Sequence, residues 1–353
     1  MSGTDNTVRY GLIGYGAWGS HHARAITESD GAELVAIAVR SPESQQQARD
    51  THAGVDIYGD YHELLARDDI DVVAVVLPTN LHHRVGLDVL DAGKHLLLEK
   101  PMALSEAHCD DLIARAREVD RILCVGHEFR LSSLWGKLKT LLDDGAIGEL
   151  QYALIELWRR PYRQGSGGWR YDVDQVGSWI LEEPIHFFDL ARWYFSAAGD
   201  PTSVIARGKA RDPEHPELLD NFSAFLDFPG GGYAVISQTL SAFEHHQVVK
   251  LTGSTGSLWA SWSGAMDRTF HPDFSLKYHD GETVHDVPIE KITGEVYELV
   301  DQVDAMTRAV RDGAPLHCSG EDGKWSVAMC LRAEQTLASG ESLDFLSAPR
   351  SDA

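Results

Sequence analysis

The sequence predicts an α/β protein in two parts: a doubly wound parallel sheet over residues 1–130, then an α+β part over residues 131–353 built on a large open, mainly antiparallel sheet. Three observations carry this. Short apolar runs alternate with helical patterns through the first third. Beyond about Arg130 the runs become alternating and are joined by glycine-rich turns. A chain of 353 residues, at about 150 per domain, is long enough for two cores.

The totals exclude some functions. There are 54 acidic and 31 basic residues, a formal net charge of −23. That argues against nucleic-acid and anionic-membrane partners, because phosphate contacts need a positive face. Cys109, Cys124, Cys318 and Cys330 have no metal-ligand spacing, so free thiols in a reducing compartment and no metal are expected. Met1–Thr7 has no apolar signal core, and nowhere do about 18 apolar residues run uninterrupted. A cytoplasmic location without a membrane span is expected.

In order, Val8–Ile13 reads as a strand, followed by Gly14-Tyr15-Gly16-Ala17-Trp18-Gly19 and a helical pattern through Ile26. Between a strand and a helix this GxGxxG pattern has a mechanism. The first glycine makes the tight turn, the second admits a pyrophosphate and the third packs helix on strand. The helix N-terminus then favours the phosphate charge. Leu34–Val39 is the next strand. A NAD-preferring site would end it with an acidic residue, but Val39 stands there, followed by Arg40-Ser41. A guanidinium and a hydroxyl suit a 2′-phosphate, so NADP is favoured over NAD. Val72–Leu77 is a buried strand closed by Pro78-Thr79-Asn80, with Thr79 or Asn80 expected to cap a helix from Leu81 to Asp91. His82 in its first turn is expected near the cofactor; His83 reads as solvated.

Lys94-His95-Leu96-Leu97-Leu98-Glu99-Lys100-Pro101 is the stretch around which the rest is arranged. An apolar strand ends in Glu99 and presents Lys100 before a proline. Ligand crevices in such sheets lie outside the carboxyl ends of the strands, so Lys100 is expected to face one. A helix from Ser105 to Val119 and a strand from Ile122 to Val125 complete this part, ending at Gly126-His127-Glu128-Phe129-Arg130.

These residues resemble the glucose–fructose oxidoreductase / inositol dehydrogenase / MocA family of NAD(P)-dependent oxidoreductases. The resemblance rests on Gly14-x-Gly16-x-x-Gly19, on Pro78-Thr79-Asn80-Leu81-His82, and on Ala92-Gly93-Lys94-His95 leading into Glu99-Lys100-Pro101. It implies a Rossmann domain, a C-terminal sheet that often mediates oligomers, and hydride transfer at a sugar, polyol or related hydroxyl. With the motif readings, the expected cofactor contacts are Gly14, Gly16, Ala17, Trp18, Gly19, Arg40, Ser41, Leu77, Pro78, Thr79, Asn80, His82, Glu99 and Lys100.

In the second part, Leu131–Asp144 reads as a connecting helix and Gln151–Trp158 as a strand. The loop that follows carries Arg159, Arg160, Tyr162, Arg163, Trp169, Arg170 and Tyr171. It suits either a polyhydroxy substrate or packing on itself or on a neighbouring subunit. Asn221–Phe228 and Tyr233–Leu240 form an antiparallel pair, with Val248–Thr252, Ser257–Trp262 and a hairpin at Asp280-Gly281 continuing the sheet. One uncovered face is consistent with a homodimer or homotetramer. Helical spacing at Val296–Arg311 and Trp325–Leu337 closes the chain, and the last helix may return to the first domain.

Gly177–Asp189 is the second chemical stretch. A helix beginning near Pro184 puts His186 in its first turn with Glu182 close by. The helix N-terminus favours neutral imidazole and the carboxylate pulls the other way, so the ring can serve as a base near neutrality. The matching family motif is an aspartate, three residues, then the catalytic histidine, with glycine two before it. Here Glu182 and Pro184 replace the aspartate and the glycine, and Glu183 is an alternative partner. Lys100, His186 and Glu182 are therefore the catalytic candidates. Expected substrate contacts are Lys100, Glu128, Trp158, Arg163, Trp169, Arg170, Glu183, His186 and Asp189, with Asp189 leaning toward bracing its helix.

The chemistry expected is oxidation of a secondary ring hydroxyl of a sugar, inositol or glycoside. His186 takes the proton and Lys100 stabilises the oxygen, or Lys100 is itself the acceptor. Reduction of a sugar carbonyl, dihydrodiol oxidation, or a non-catalytic nucleotide-responsive regulator are the alternatives.

Overall fold

The computed structural model describes residues 7–345 and divides into two compact units. Among the described residues the first takes residues 7–128 together with Val296–Lys324; the second takes Phe129–Glu295 and residues 325–345.

The first unit alternates strand and helix: β1 (Val8–Ile13), α1 (Gly19–Glu28), β2 (Ala32–Ala38), α2 (Pro42–Thr51), β3 (Asp56–Tyr58), α3 (Tyr61–Leu65), β4 (Val72–Val75), α4 (His82–Asp91), β5 (His95–Glu99), α5 (Glu106–Glu118) and β6 (Leu123–Gly126). The strands form a six-stranded parallel sheet of order β3-β2-β1-β4-β5-β6. Every residue of β4 and β6 is buried, which is why these strands read as continuous apolar runs. The order reverses between β1 and β4, the switch point where such sheets bind ligands.

The second unit contains α6 (Trp135–Asp143), β7 (Leu150–Trp158), α7 (Val173–Val176), α8 (Trp179–Glu182), α9 (Pro184–Tyr194) and β8–β14. These strands are β8 (Ser203–Lys209), β9 (Asn221–Asp227), β10 (Tyr233–Thr239), β11 (His245–Gly253), β12 (Ser257–Gly264), β13 (Asp273–His279) and β14 (Val284–Asp286). After α10 (Glu295–Asp312) and α11 (Gly320–Ser339), β15 (Leu343–Asp344) joins the edge. The nine strands are ordered β14-β13-β12-β11-β7-β10-β9-β8-β15, all antiparallel except β7 with β10. Alternation puts Ala153, Ile155 and Leu157 on the buried face with Phe222, Ala224, Leu226, Ala234 and Ile236. The opposite face carries a row in register, Phe225, Val235, Leu154, Lys250 and Trp259, with Phe225 and Trp259 about half exposed.

Several expectations need adjusting. A division at residue 130 leaves α10 in the second part, but Leu299, Val303 and Met306 pack with Tyr10, Ile26 and Ile37 in the core of the first unit. Neither Thr79 nor Asn80 caps α4; Thr79–Leu81 forms a 3₁₀ turn that leads into it without a side-chain cap. The connecting helix starts only at Trp135, after a 3₁₀ turn over Glu128–Leu131. All four cysteines are free and buried. Among the described residues no helix is long and apolar enough to cross a membrane.

Candidate active site

In the first unit the three glycines do three different jobs. Gly14 has φ +101° and a Cβ there would lie 2.0 Å from the Val76 carbonyl oxygen. A Cβ on Gly19 would lie 2.1 Å from the Gly14 carbonyl, so α1 packs directly on the turn. A Cβ on Gly16 would meet nothing within 4 Å. That open space, before the first turn of α1, fits a diphosphate held by main-chain N–H groups and the helix end. The contrast makes a prediction. Gly14→Ala destabilises the fold by roughly 2–4 kcal/mol, read by thermal melting. Gly16→Val leaves the melting temperature intact but loses dinucleotide binding, and unchanged affinity in that variant would place the cofactor elsewhere.

Exposed Ala17 and half-buried Trp18 follow on the same turn, with Leu77 and Pro78 half-buried, Asn80 exposed and Thr79 buried at the end of β4. Arg40 is exposed; Ser41 caps α2 by accepting a hydrogen bond from the Ser44 amide at 3.1 Å. His82 and Glu99, expected at the cofactor, have side chains that are buried and engaged within the protein. His82 is 1% exposed, with Nδ1 2.7 Å from the Pro101 carbonyl and Nε2 2.8 Å from the Leu77 carbonyl. Burial pulls its imidazole below the ordinary range despite those carbonyls, so the neutral ring donates to one of them at a time. It braces the ends of β4 and β5 from beneath. Glu99 is also buried and occupied: its carboxylate takes hydrogen bonds from His22, the Trp18 indole and the Lys100 amide. Burial pushes this carboxyl upward, but those donors and the Lys100 charge outweigh it and hold it ionised. Lys100 is half-buried at the carboxyl end of β5, joined to Pro101 by a cis peptide. Glu128 is buried just after β6.

In the second unit Pro184 is the first residue of α9, so His186 sits in the opening turn as its spacing requires. His186 is 2% exposed and stacks on Phe129, ring centroids 4.5 Å apart. Glu182, at the end of α8, accepts a hydrogen bond from Arg170. Glu183 faces elsewhere. It pairs with Arg159, and its Oε1 lies 3.3 Å from His245 Nε2. Glu183, expected as a substrate contact or as an alternative partner to His186, thus has one carboxylate oxygen engaged by Arg159. Burial drives the His245 imidazole down to about 4, keeping it neutral beside Arg159. Glu183, His245 and Glu295 bring three ligand-type atoms within 4.8 Å, a set invisible in linear spacing. The Arg159 guanidinium already balances Glu183, so we assign no ion there.

Asp189 accepts two 2.8 Å hydrogen bonds from Arg130 and one of 3.0 Å from Ser326. That is a brace for α9. Trp158, expected as a substrate contact, is turned by strand alternation away from buried Leu157 and is 52% exposed on the open face of the sheet. Arg163, half exposed, reaches Asp267 at 3.2 Å. Arg170 stacks on Trp169 at 4.6 Å, and Trp169, Tyr171 and Val173 pack on a local core of Tyr162, Val176, Trp179, Leu218 and Leu240. The loop thus packs on itself.

A parallel sheet with its glycine turn at the switch point, carrying a Glu-Lys-Pro corner, defines an NAD(P)-dependent oxidoreductase. Residues 8–127 match the oxidoreductase family with an NAD-binding Rossmann fold, and residues 135–259 match the GFO/IDH/MocA C-terminal domain. The chain belongs to this family, the glucose–fructose oxidoreductase / inositol dehydrogenase / MocA oxidoreductases. It is 26% identical to a myo-inositol 2-dehydrogenase of Thermotoga maritima, covering 94% of this chain and 96% of that one. It is 24% identical to a 1,5-anhydro-D-fructose reductase of Ensifer adhaerens, covering 95% and 98%. The crystal structure of a probable dehydrogenase from Thermotoga maritima superposes with a TM-score of 0.80 at 26% identity, covering 96% of this chain and 98% of that one.

Sequence reasoning missed His22, the partner of Glu99, and Arg130, the partner of Asp189. Arg130 closes the stretch that begins at Gly126, but nothing local pairs it with a residue 59 positions on.

Proposed function

We propose that the protein oxidises a secondary ring hydroxyl of a sugar, inositol or glycoside, with Lys100 and His186 as the acid/base groups. The observation that supports this best is the corner at Glu99-Lys100-Pro101. A buried, ionised Glu99 fixes the Lys100 amide at the carboxyl end of β5 and is itself held by Trp18 and His22 of the glycine-turn segment. Lys100 is thus presented from the edge of the site that fits a dinucleotide. When bound, nicotinamide supplies the hydride acceptor. His186 removes the hydroxyl proton, and the Lys100 ammonium donates to the oxygen as its charge develops. Glu182 orients His186. Glu128 and Arg163 remain as substrate contacts. The myo-inositol dehydrogenase and anhydrofructose reductase relatives support a sugar-like substrate in either direction of hydride transfer.

The test mixes the purified chain with NADP or NAD and a panel of hexoses, inositols and glycosides, following absorbance of the reduced nicotinamide. Turnover of at least one ring polyol is expected. Intact cofactor binding with silence across the panel, and across matching carbonyls with reduced cofactor, would instead support a nucleotide-responsive regulator.

We further propose NADP as the preferred dinucleotide, because exposed Arg40 follows β2 where a NAD site would carry a carboxylate. Arg40→Asp is expected to reverse the NADP-to-NAD ratio of kcat/KM by about 10- to 100-fold, the worth of one charge-assisted bond. A wild-type preference for NAD, unmoved by the substitution, would remove this assignment. We also read the open face of the second sheet, with Phe225 and Trp259 half exposed, as the face a second copy covers. Light scattering on the purified chain reads that directly: a monomer would exclude it.

A further inference from the structure

His22 has no place in the expected site, yet it is among the most buried polar residues of the first unit, 1% exposed in the second turn of α1. Its Nε2 lies 2.9 Å from Glu99 Oε1, while Glu99 Oε2 takes the Lys100 amide at 3.2 Å. The Trp18 indole hydrogen-bonds the same carboxylate and stands edge-on to the His22 ring, 5.6 Å between centroids at 81°. Strand β6 yields room for this group: a Cβ on Gly126 would sit 3.0 Å from Glu99 Oε1. Among the described residues no hydrogen-bond partner reaches His22 Nδ1, so the ring makes its one hydrogen bond to Glu99.

A carboxylate is a poor choice for filling a core, because an unpaired buried charge is costly. Its use here needs another reason. Each donor to it comes from a piece of the proposed site's scaffold: two from the glycine turn and the helix it opens, one from the main chain of Lys100. We propose that His22 is a positioning residue, which through Glu99 locks the Lys100 main chain to the helix that opens the phosphate turn. Occupancy of the turn and presentation of the lysine then become one rigid arrangement rather than two. This rests on the reading of Lys100 given above.

Three variants test it: His22→Ala, His22→Gln, whose amide can donate to the same carboxylate, and Glu99→Gln. The first readout needs no substrate. Hydrogen–deuterium exchange at the Lys100 amide is expected to speed up at least about tenfold in His22→Ala, the scale of one lost hydrogen bond of ordinary worth, with β1 amides unchanged. His22→Gln should restore most of the protection. The second readout is kinetic, on whichever polyol turns over in the panel: kcat falls in His22→Ala while dinucleotide affinity holds, and the His22→Ala/Glu99→Gln double variant loses no more than the worse single one.

A merely structural histidine predicts otherwise: a lower melting temperature, an unchanged Lys100 amide and no rescue by glutamine. Unchanged exchange at Lys100 overturns the proposal. If His22→Ala fails to fold, His22→Gln and Glu99→Gln decide by the same exchange measurement: native protection in glutamine with loss in Glu99→Gln supports the lock, and native protection in both refutes it. Lys100→Met keeps the two readings apart. Full activity in that variant refutes the catalytic role of Lys100, whatever exchange shows at its amide; an inactive Lys100→Met beside a native-like His22→Ala refutes the lock alone.

Discussion

Replacing His186 by asparagine is expected to lower kcat by about 10²–10⁴-fold, the usual worth of a positioned general base, with dinucleotide affinity nearly unchanged. His186 lies in the opening turn of α9, buried against Phe129, so asparagine removes the proposed proton acceptor with little repacking. Lys100→Met keeps the length and apolar stem of the lysine and deletes only the charge. Its expected loss is about 10²–10³-fold, that of one donor to a developing oxyanion. In the proposed mechanism the two act on one oxygen and one proton, so the double variant should lose far less than the product. The pH–rate profile divides the labour. If His186 is the base, its limb disappears in His186→Asn and survives in Lys100→Met. Survival of that limb in His186→Asn would hand the proton to Lys100. A native kcat in both variants would remove the pair from the chemistry altogether.

Much of the first unit was legible because its signals are local. A parallel strand buried on both faces is an apolar run, and β4, Leu96–Leu98 of β5 and Leu123–Val125 of β6 read that way. The GxGxxG turn is legible because backbone geometry forces the glycine at Gly14 and close contact with the Gly14 carbonyl forces it at Gly19. Helix α2 was not, since only Ala48 of its ten residues is buried and an exposed helix shows no apolar stripe. Strands β3 and β15 are too short to show a period, at three and two residues. The return of α10 to the first core was equally hidden: its stripe of Leu299, Val303 and Met306 announces a helix, not the core it serves.

The site divides along the same line. Lys100 and His186 each sit in a local pattern, a strand end and a helix start, and both stand where those patterns put them. Their supports do not. The His22–Glu99 pair spans 77 residues and Arg130–Asp189 spans 59. Topology brings such pairs together, and no window of sequence contains both members. Glu182 and Glu183 illustrate the limit well. Adjacent in sequence and alike in chemistry, they face Arg170 and Arg159 respectively, because the chain turns between α8 and α9.

The buried pair also sets the largest stability effect we expect. Arg130 and Asp189 have side chains 6% and 2% exposed and meet through two parallel hydrogen bonds. Asp189→Ala strands the guanidinium in a dry interior and takes the acceptor from Ser326, a cost of about 3–5 kcal/mol. For a unit of this size that lowers the melting temperature by roughly 6–20 °C. Removing both charges tells a different story. Arg130→Met with Asp189→Leu leaves no stranded ion, so most of the loss should return even though the salt bridge is gone. What stays missing is the acceptor for Ser326, on the order of 1–3 kcal/mol. Should Asp189→Ala melt with the native protein, the guanidinium must find water or another anion, and the pair would then be no brace for α9. If it melts low and the double variant does not recover, the specific geometry of the pair, rather than neutrality, holds the helix that carries His186.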